Sequence, residues 1–278
     1  MHKQHVVVLA LQRPGRRQDD VGVAGGLVAI PVERHHEVEE GDGALEPRRV
    51  RCRVDRVAGN REQRSHLAFT WRLDPLLVVY DCMDELSAFD SAPPAAKRRE
   101  AELLKLADVV FTSGHGLDEA KRRFHHNVYP LLDGVDLEHF RQARREIAEP
   151  VDQACIGRPR LGFSGVIDER LNLGLLGAIA EARADWQIVM IGPAVGIAPS
   201  ELPRRPNIHY LGDRSYKDLP AYFSGWDVAV APFARSESTR LIAPAETSEY
   251  LAAGVPTVST SIRDMDLVYG RGGLVEVA

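Results

Sequence analysis

The chain has 278 residues, 44% of them hydrophobic and 27% charged, a balance that fits a globular protein large enough for one big domain or two small ones. Its formal net charge of −5 supplies no basic excess to displace phosphate counterions, which argues against a general nucleic-acid binder. No apolar run approaches the ~18–20 residues of a membrane span, and the apolar core of Met1 to Leu11 is too short for a signal peptide. The expected location is therefore cytoplasmic. Cys52, Cys82 and Cys155 are widely spaced and odd in number, which suits neither a disulfide framework nor a zinc site, so they read as reduced packing residues.

Residues 1–70 form an atypical segment for which poor order is expected. After the apolar run Val6 to Leu11, the stretch from Gln12 to His66 is rich in Arg, Val, Gly and acids and holds no aromatic residue. Val21 to Val32 has the composition of a strand or two, and Arg48 to Arg56 alternates as an exposed strand does. Its arginines are interleaved with Glu33, Glu37, Glu39, Glu40, Asp42 and Glu46, so the local field is mixed rather than basic. The Arg/Val/Gly/Asp bias is also what a GC-rich gene gives when read in the wrong frame, and a frameshifted start is one hypothesis for it.

The texture changes at Trp71, where the remainder of an N-terminal Rossmann-like domain, 71–144, begins. Leu76 to Asp81 is a continuous apolar run ending in acid, the pattern of a parallel strand buried on both faces whose carboxyl end opens on a crevice. Asp81, Asp84 and Glu85 fall at that end. A helix is predicted over Ala95 to Ala107, a strand over Asp108 to Thr112, and a second helix after the loop Ser113-Gly-His-Gly116, a βαβ succession. Asp84 is a candidate catalytic carboxylate at the rim, with capping of the next helix as the alternative. His115, between two glycines, faces the predicted cleft. His125 and His126 beside Lys121-Arg-Arg123 fit either an anionic membrane holding a lipid-linked acceptor or a solvated helix end.

Residues 145–160, with Pro150 and Pro159 and no clean period, read as a linker, and 161–278 as a second Rossmann-like domain. Glycines 162 and 165 follow a strand and let backbone approach a ligand, while Arg170 is placed to offset a diphosphate. Strands are predicted at Trp186 to Gly192, Ile208 to Gly212 and Trp226 to Phe233, with helices at Leu173 to Arg183 and Leu219 to Phe223. Pro244 suits a first helical turn, Ala245 to Ala253 is made largely of helix formers, and Gly254 suits a left-handed cap. Val255 to Thr260 is a buried strand. The unpaired amides at this helix start favour a phosphate, and Glu249, about one turn further in, can accept hydrogen bonds from the two hydroxyls of a ribose.

Pro244-x-x-x-x-Glu249-Tyr-Leu-Ala-x-Gly254-x-Pro256 resembles the donor-binding motif of the family-4 retaining glycosyltransferases, whose GT-B fold joins two Rossmann-like domains. Asp133-Gly-Val-Asp136 is similar to the stretch that closes their first domain, with Asp133 in place of asparagine, and Tyr80 to Glu85 is similar to a run in bacterial members. The likeness covers roughly Leu76 to Ala278 and leaves the N-terminal domain incomplete. It implies a cofactor-free, metal-free transfer of a sugar from a UDP- or GDP-linked nucleotide-sugar to a saccharide or lipid-linked acceptor in envelope or exopolysaccharide assembly. A place at the inner membrane face is a further expectation beside the cytoplasmic one. By the same likeness Glu249 binds ribose, Arg170 and Gly165 the diphosphate, and Glu237 the donor sugar at an unusual spacing. Thr247 joins this donor-binding set. Relatives often carry lysine where this chain has Glu246, so an acid stands where phosphate is expected. An inactive nucleotide-binding remnant and a nucleotide-sugar epimerase of the same architecture are the alternatives.

Overall fold

The computed structural model describes residues 6–12, 52–57, 75–88, 92 and 94–278. A five-stranded sheet takes in β1 (Val6–Gln12), β2 (Cys52–Val57), β3 (Pro75–Cys82), β4 (Val109–Thr112) and β5 (Val128–Pro130), in the order β2-β1-β3-β4-β5. Strands β3, β4 and β5 are parallel, with helices α1 (Ala96–Leu106) and α2 (His115–Lys121) in the connections. β1 runs antiparallel to both β2 and β3. The opening apolar run and the alternating arginine stretch therefore form strands, but not in the parallel succession of a Rossmann-like domain. The expected strands in Val21 to Val32 lie outside the described residues.

The second sheet is parallel throughout: β6 (Arg160–Ser164), β7 (Gln187–Ile191), β8 (Ile208–Gly212), β9 (Val228–Ala231), β10 (Thr257–Ser259) and β11 (Glu276–Val277) lie in the order β11-β10-β9-β6-β7-β8. This is the doubly wound order, and it reverses between β6 and β9, where a crevice opens beyond the strand ends. Both faces are covered. Ile188 and Met190 pack with Phe163, Leu176 and Met265 on one side; Val189 and Ile191 pack with Phe223, Trp226 and Tyr250 on the other. Alternate residues of one strand thus enter separate cores, which is why β7 reads as an unbroken apolar run.

The short helix α3 (Leu137–Phe140) follows β5, and α4 (Val151–Ala154) lies within 145–160. Phe140, Ala143 and Ile156 already belong to the second sheet's core. Helix α5 (Leu173–Ala182) starts at Asn172, whose side chain accepts the Leu175 N–H at 2.9 Å, and α6 (Leu219–Phe223) follows β8.

Helix α7 (Ala245–Ala253) has the predicted span, with Pro244 at its N-cap, one residue before the first turn. Gly254 is left-handed (φ 78°), and the Val255 N–H reaches the Tyr250 carbonyl at 3.0 Å, closing the helix as a residue without Cβ permits. Arg144 adds a cation there, donating to the carbonyls of Ala252 at 2.9 Å and Leu251 at 2.8 Å. The position complements the negative end of the helix dipole. Arg144→Ala is expected to cost about 1 kcal/mol, since the side chain is exposed and water replaces part of the bond; the midpoint of urea unfolding reads it.

Candidate functional site

A crevice lies where the ends of β6 and β9 face the first domain. The first domain contributes Met83, Asp84, Ser113 and Asp133 to its lining; the second contributes Phe163, Val166, Asp168, Arg170, Leu171, Phe233 and the run Ile242 to Glu246. A smaller recess shares Ser113, Asp133 and Ala243 to Ala245 and extends to Leu132, Ser248, Val268 and Tyr269. The amino-terminal turn of α7 therefore opens onto both.

Gly165 turns the chain out of β6 with φ 154°, and its N–H bonds the Ile191 carbonyl at 2.9 Å. A Cβ on Gly165 would lie 3.0 Å from Oε1 of Glu246, so this loop rests beside the α7 start. Gly162 is different. It sits within β6, and a Cβ there would fall 1.9 Å from the Trp226 ring. The expectation that it admits a ligand is corrected: it admits an indole.

Arg170 lines the crevice, but its guanidinium is engaged by Asp168, from Nε at 2.9 and 3.0 Å and from Nη2 at 2.7 Å. Burial works against the charge, while Asp168, Asp84 and Glu246 hold it in place and leave the pKa raised. Among the described lining residues Arg170 thus stands with four carboxyl groups, those of Asp84, Asp133, Asp168 and Glu246. Burial raises the pKa of Asp133 and Glu246; for Glu246, Arg170 pulls the other way while Asp133 and Asp84 add to the rise. Asp168 was visible in the sequence two residues before Arg170, yet nothing in that spacing says that it closes on the same guanidinium. Asp133 was noted as a replacement for asparagine, not as a wall of the crevice.

The other expected donor-binding residues are dispersed. Glu249 is half-buried one turn beyond Glu246, and burial, then the Glu246 charge, push its pKa up to about 7. It lies outside the two linings, on the side where its charge acts on Tyr216. Thr247 is fully buried, its hydroxyl donating to the Met265 sulfur at 3.5 Å. Glu237 is 81% exposed, bonds Arg240 at 3.1 Å and is absent from the lining. His115 opens α2 and donates its backbone N–H to Asp264. Of the cationic residues at 121–126, Lys121 is buried between Glu85 and Glu100 and His125 against the Ala107 carbonyl, while Arg122, paired with Asp118, Arg123 and His126 are exposed, as at a solvated helix end. Cys82 is buried and Cys155 exposed, both free thiols. No helix among the described residues is long and apolar enough to cross a membrane.

Residues 158–277 match the family model described as Glycosyl transferases group 1. The putative teichuronic acid biosynthesis glycosyltransferase TuaH of Bacillus subtilis (strain 168) is 26% identical over 201 residues, covering 66% of this chain and 50% of the relative. The chain thus spans about half the length of the curated relative it matches. Among solved structures it is similar to Anabaena HepE in complex with UDP and glucose (TM-score 0.56, 17% identity, 74% of this chain and 59% of that one). It is also similar to sucrose-phosphate synthase from Thermosynechococcus elongatus (TM-score 0.51, 16% identity, 72% and 53%). At these identities the structures speak for the fold alone. The family match is confined to the second domain, and the chain as a whole shares with these structures an α/β fold of GT-B type.

Proposed function

We propose that the protein is a retaining glycosyltransferase of the family-4 kind, which holds a UDP- or GDP-linked sugar on its second domain and passes the sugar to an envelope or exopolysaccharide acceptor presented by the first. The observation that carries this reading is the meeting of the Gly165 loop, Arg170 and the start of α7 at the reversal point of the second sheet, opposite Asp84 and Asp133. A name in teichuronic acid biosynthesis for the curated relative, and UDP with glucose in the HepE complex, point to the same substrate classes.

In this reading the amides at the α7 start and the Arg170 guanidinium receive the diphosphate, where the positive end of the helix stabilises charge that grows as the glycosidic bond breaks. The departing diphosphate oxygen takes the acceptor proton on the face it leaves, so configuration is retained without a protein base. Asp84 borders the acceptor, and Glu249 accepts the ribose hydroxyls. Acceptor delivery at the inner membrane face is part of the same proposal.

Calorimetric titration with UDP, GDP, UDP-glucose and GDP-mannose tests it. The chain is expected to bind one base series, and Glu249→Ala to weaken that binding about tenfold or more, the worth of hydrogen bonds to a charged group. Unchanged affinity in Glu249→Ala would remove Glu249 from the donor site. A second reading, a nucleotide-binding remnant without turnover, is favoured by the engagement of Arg170 with Asp168 and by Glu246 beside the expected phosphate. Binding without transfer to any acceptor would select it. No feature of the crevice favours the epimerase.

A further inference from the structure

The two domains meet at α2. The N–H groups of His115 and Gly116 donate to the two carboxylate oxygens of Asp264 at 2.6 and 3.0 Å. Asp264 comes from the second domain and is 1% exposed. A carboxylate across the first turn is the favoured partner of amides that the helix itself leaves unpaired. The approach is close, since a Cβ on Gly114 would lie 2.8 Å from Ala243 Cβ and one on Gly116 2.7 Å from the Arg240 carbonyl. Arg263, next to Asp264, pairs with Glu119 on the same helix. Leu241 of the second domain also enters the first domain's core beside Leu117.

The far end of α2 is tied just as firmly, but within the first domain. Lys121 is 2% exposed and bonds Glu85 at 2.6 Å and Glu100 at 2.5 Å. Burial resists its charge, while Cys82, Glu100 and Glu85 act the other way and leave its pKa raised. Glu85 directly follows Asp84. Ser113, in the loop leading into α2, donates its hydroxyl to the Met83 carbonyl at 2.6 Å, and Met83 directly precedes Asp84. Both chain neighbours of Asp84 are thus fastened to α2 or its leading loop, and α2 is fastened to the second domain.

We propose that α2 is a strut through which Asp264 positions Asp84 in the crevice, so that the donor-side domain sets the place of the acceptor-side carboxylate. The functional meaning of this coupling rests on the reading that transfer occurs in the crevice; the coupling itself needs no ligand. Asp264 and Ser113 are positioning residues, acting through α2 and the Met83 carbonyl.

Amide hydrogen exchange on the full chain tests the proposal. Asp264→Ala is expected to speed exchange at His115 and Gly116 and, about tenfold, at Met83 to Glu85, while β4 keeps its parental rate. Ser113→Ala is expected to speed Met83 to Glu85 without affecting His115 and Gly116. Acceleration of β4 to the same extent would mean general loosening and would overturn the strut, as would parental rates at Met83 to Glu85 in Asp264→Ala. If Asp264→Ala does not fold, Asp264→Asn, which keeps an acceptor for one amide, is read by the same criteria. A parent that binds no nucleotide while the coupling is present defeats the proposed function and leaves the strut; nucleotide binding without the coupling does the reverse.

Discussion

Glu246→Gln is expected to tighten nucleotide-sugar binding about tenfold where Glu246 is ionised, at the alkaline end of the range, with the advantage shrinking as the pH falls. Glu246 lies in the first turn of α7, in the crevice lining and beside the Gly165 loop. A diphosphate bound at that turn meets its charge at close range, where two unit charges several ångströms apart interact by on the order of 1–2 kcal/mol even at a high effective dielectric. The sign of the pH effect follows from its pKa, raised by burial and by Asp133 and Asp84 against the pull of Arg170. As pH falls through that raised value the parent loses the repelling charge and approaches the glutamine variant; as pH rises the two diverge. A nucleotide-sugar is the suitable probe, because its diphosphate, esterified at both ends, has no proton to gain in this window. Titrations of both proteins between pH 5.5 and 8, each at roughly 0.1 M salt, decide it. Parallel pH profiles, or weaker binding by the glutamine variant, would mean that the phosphates do not sit at the α7 start.

Gly162→Ala is expected to destabilise the chain by about 3 kcal/mol or more, because the added methyl has nowhere to go. Its Cβ would fall 1.9 Å from Cδ2 and 2.1 Å from Cε2 of Trp226. The indole cannot easily yield: it is 5% exposed, donates Nε1–H to Gln153 at 2.9 Å and is packed against Phe223 and Tyr250 at ring separations of 4.6 and 5.8 Å. The strand is equally fixed, with β7 on one side and β9 on the other. Thermal and urea unfolding of the full chain measure the loss, expected as a fall of about 10 °C or more in midpoint. A normal midpoint joined to weakened nucleotide binding would restore the reading of Gly162 as a ligand-approach residue.

Much of the second domain was legible because its signals are local. An apolar run such as Gln187 to Ile191 or Val228 to Ala231 announces a strand covered on both faces, and the two cores that receive its alternate residues account for the run. Helix α7 was readable to the residue, since helix formers end at a glycine whose left-handed conformation needs no knowledge of distant chain. The first domain was harder for a related reason. Val6 to Leu11 and Cys52 to Val57 have strand-like composition, but whether a strand joins a sheet parallel or antiparallel depends on where the chain returns.

The sequence by itself determined the alternation of strands and helices in the second domain, the helix start at Pro244 and Ala245, and the choice of Arg170 and Glu246 as charges to watch; the strand order came from the tertiary structure. Only the tertiary structure decided what those charges meet. Asp168 and Arg170 are two residues apart, a spacing compatible with any loop, and only the path of the turn closes one on the other. Lys121 read as a cation at a surface, whether membrane-facing or solvated, and Glu85 and Glu100, 36 and 21 residues away, instead bury and bond it. Gly162 looked like a ligand glycine until Trp226 filled the space beside it. Asp264 carried no signal at all, because its partners are backbone amides 149 and 148 residues away. Periodicity records which face of an element is buried, whereas the partner of a charge or the neighbour of a glycine is set by chain distant in sequence.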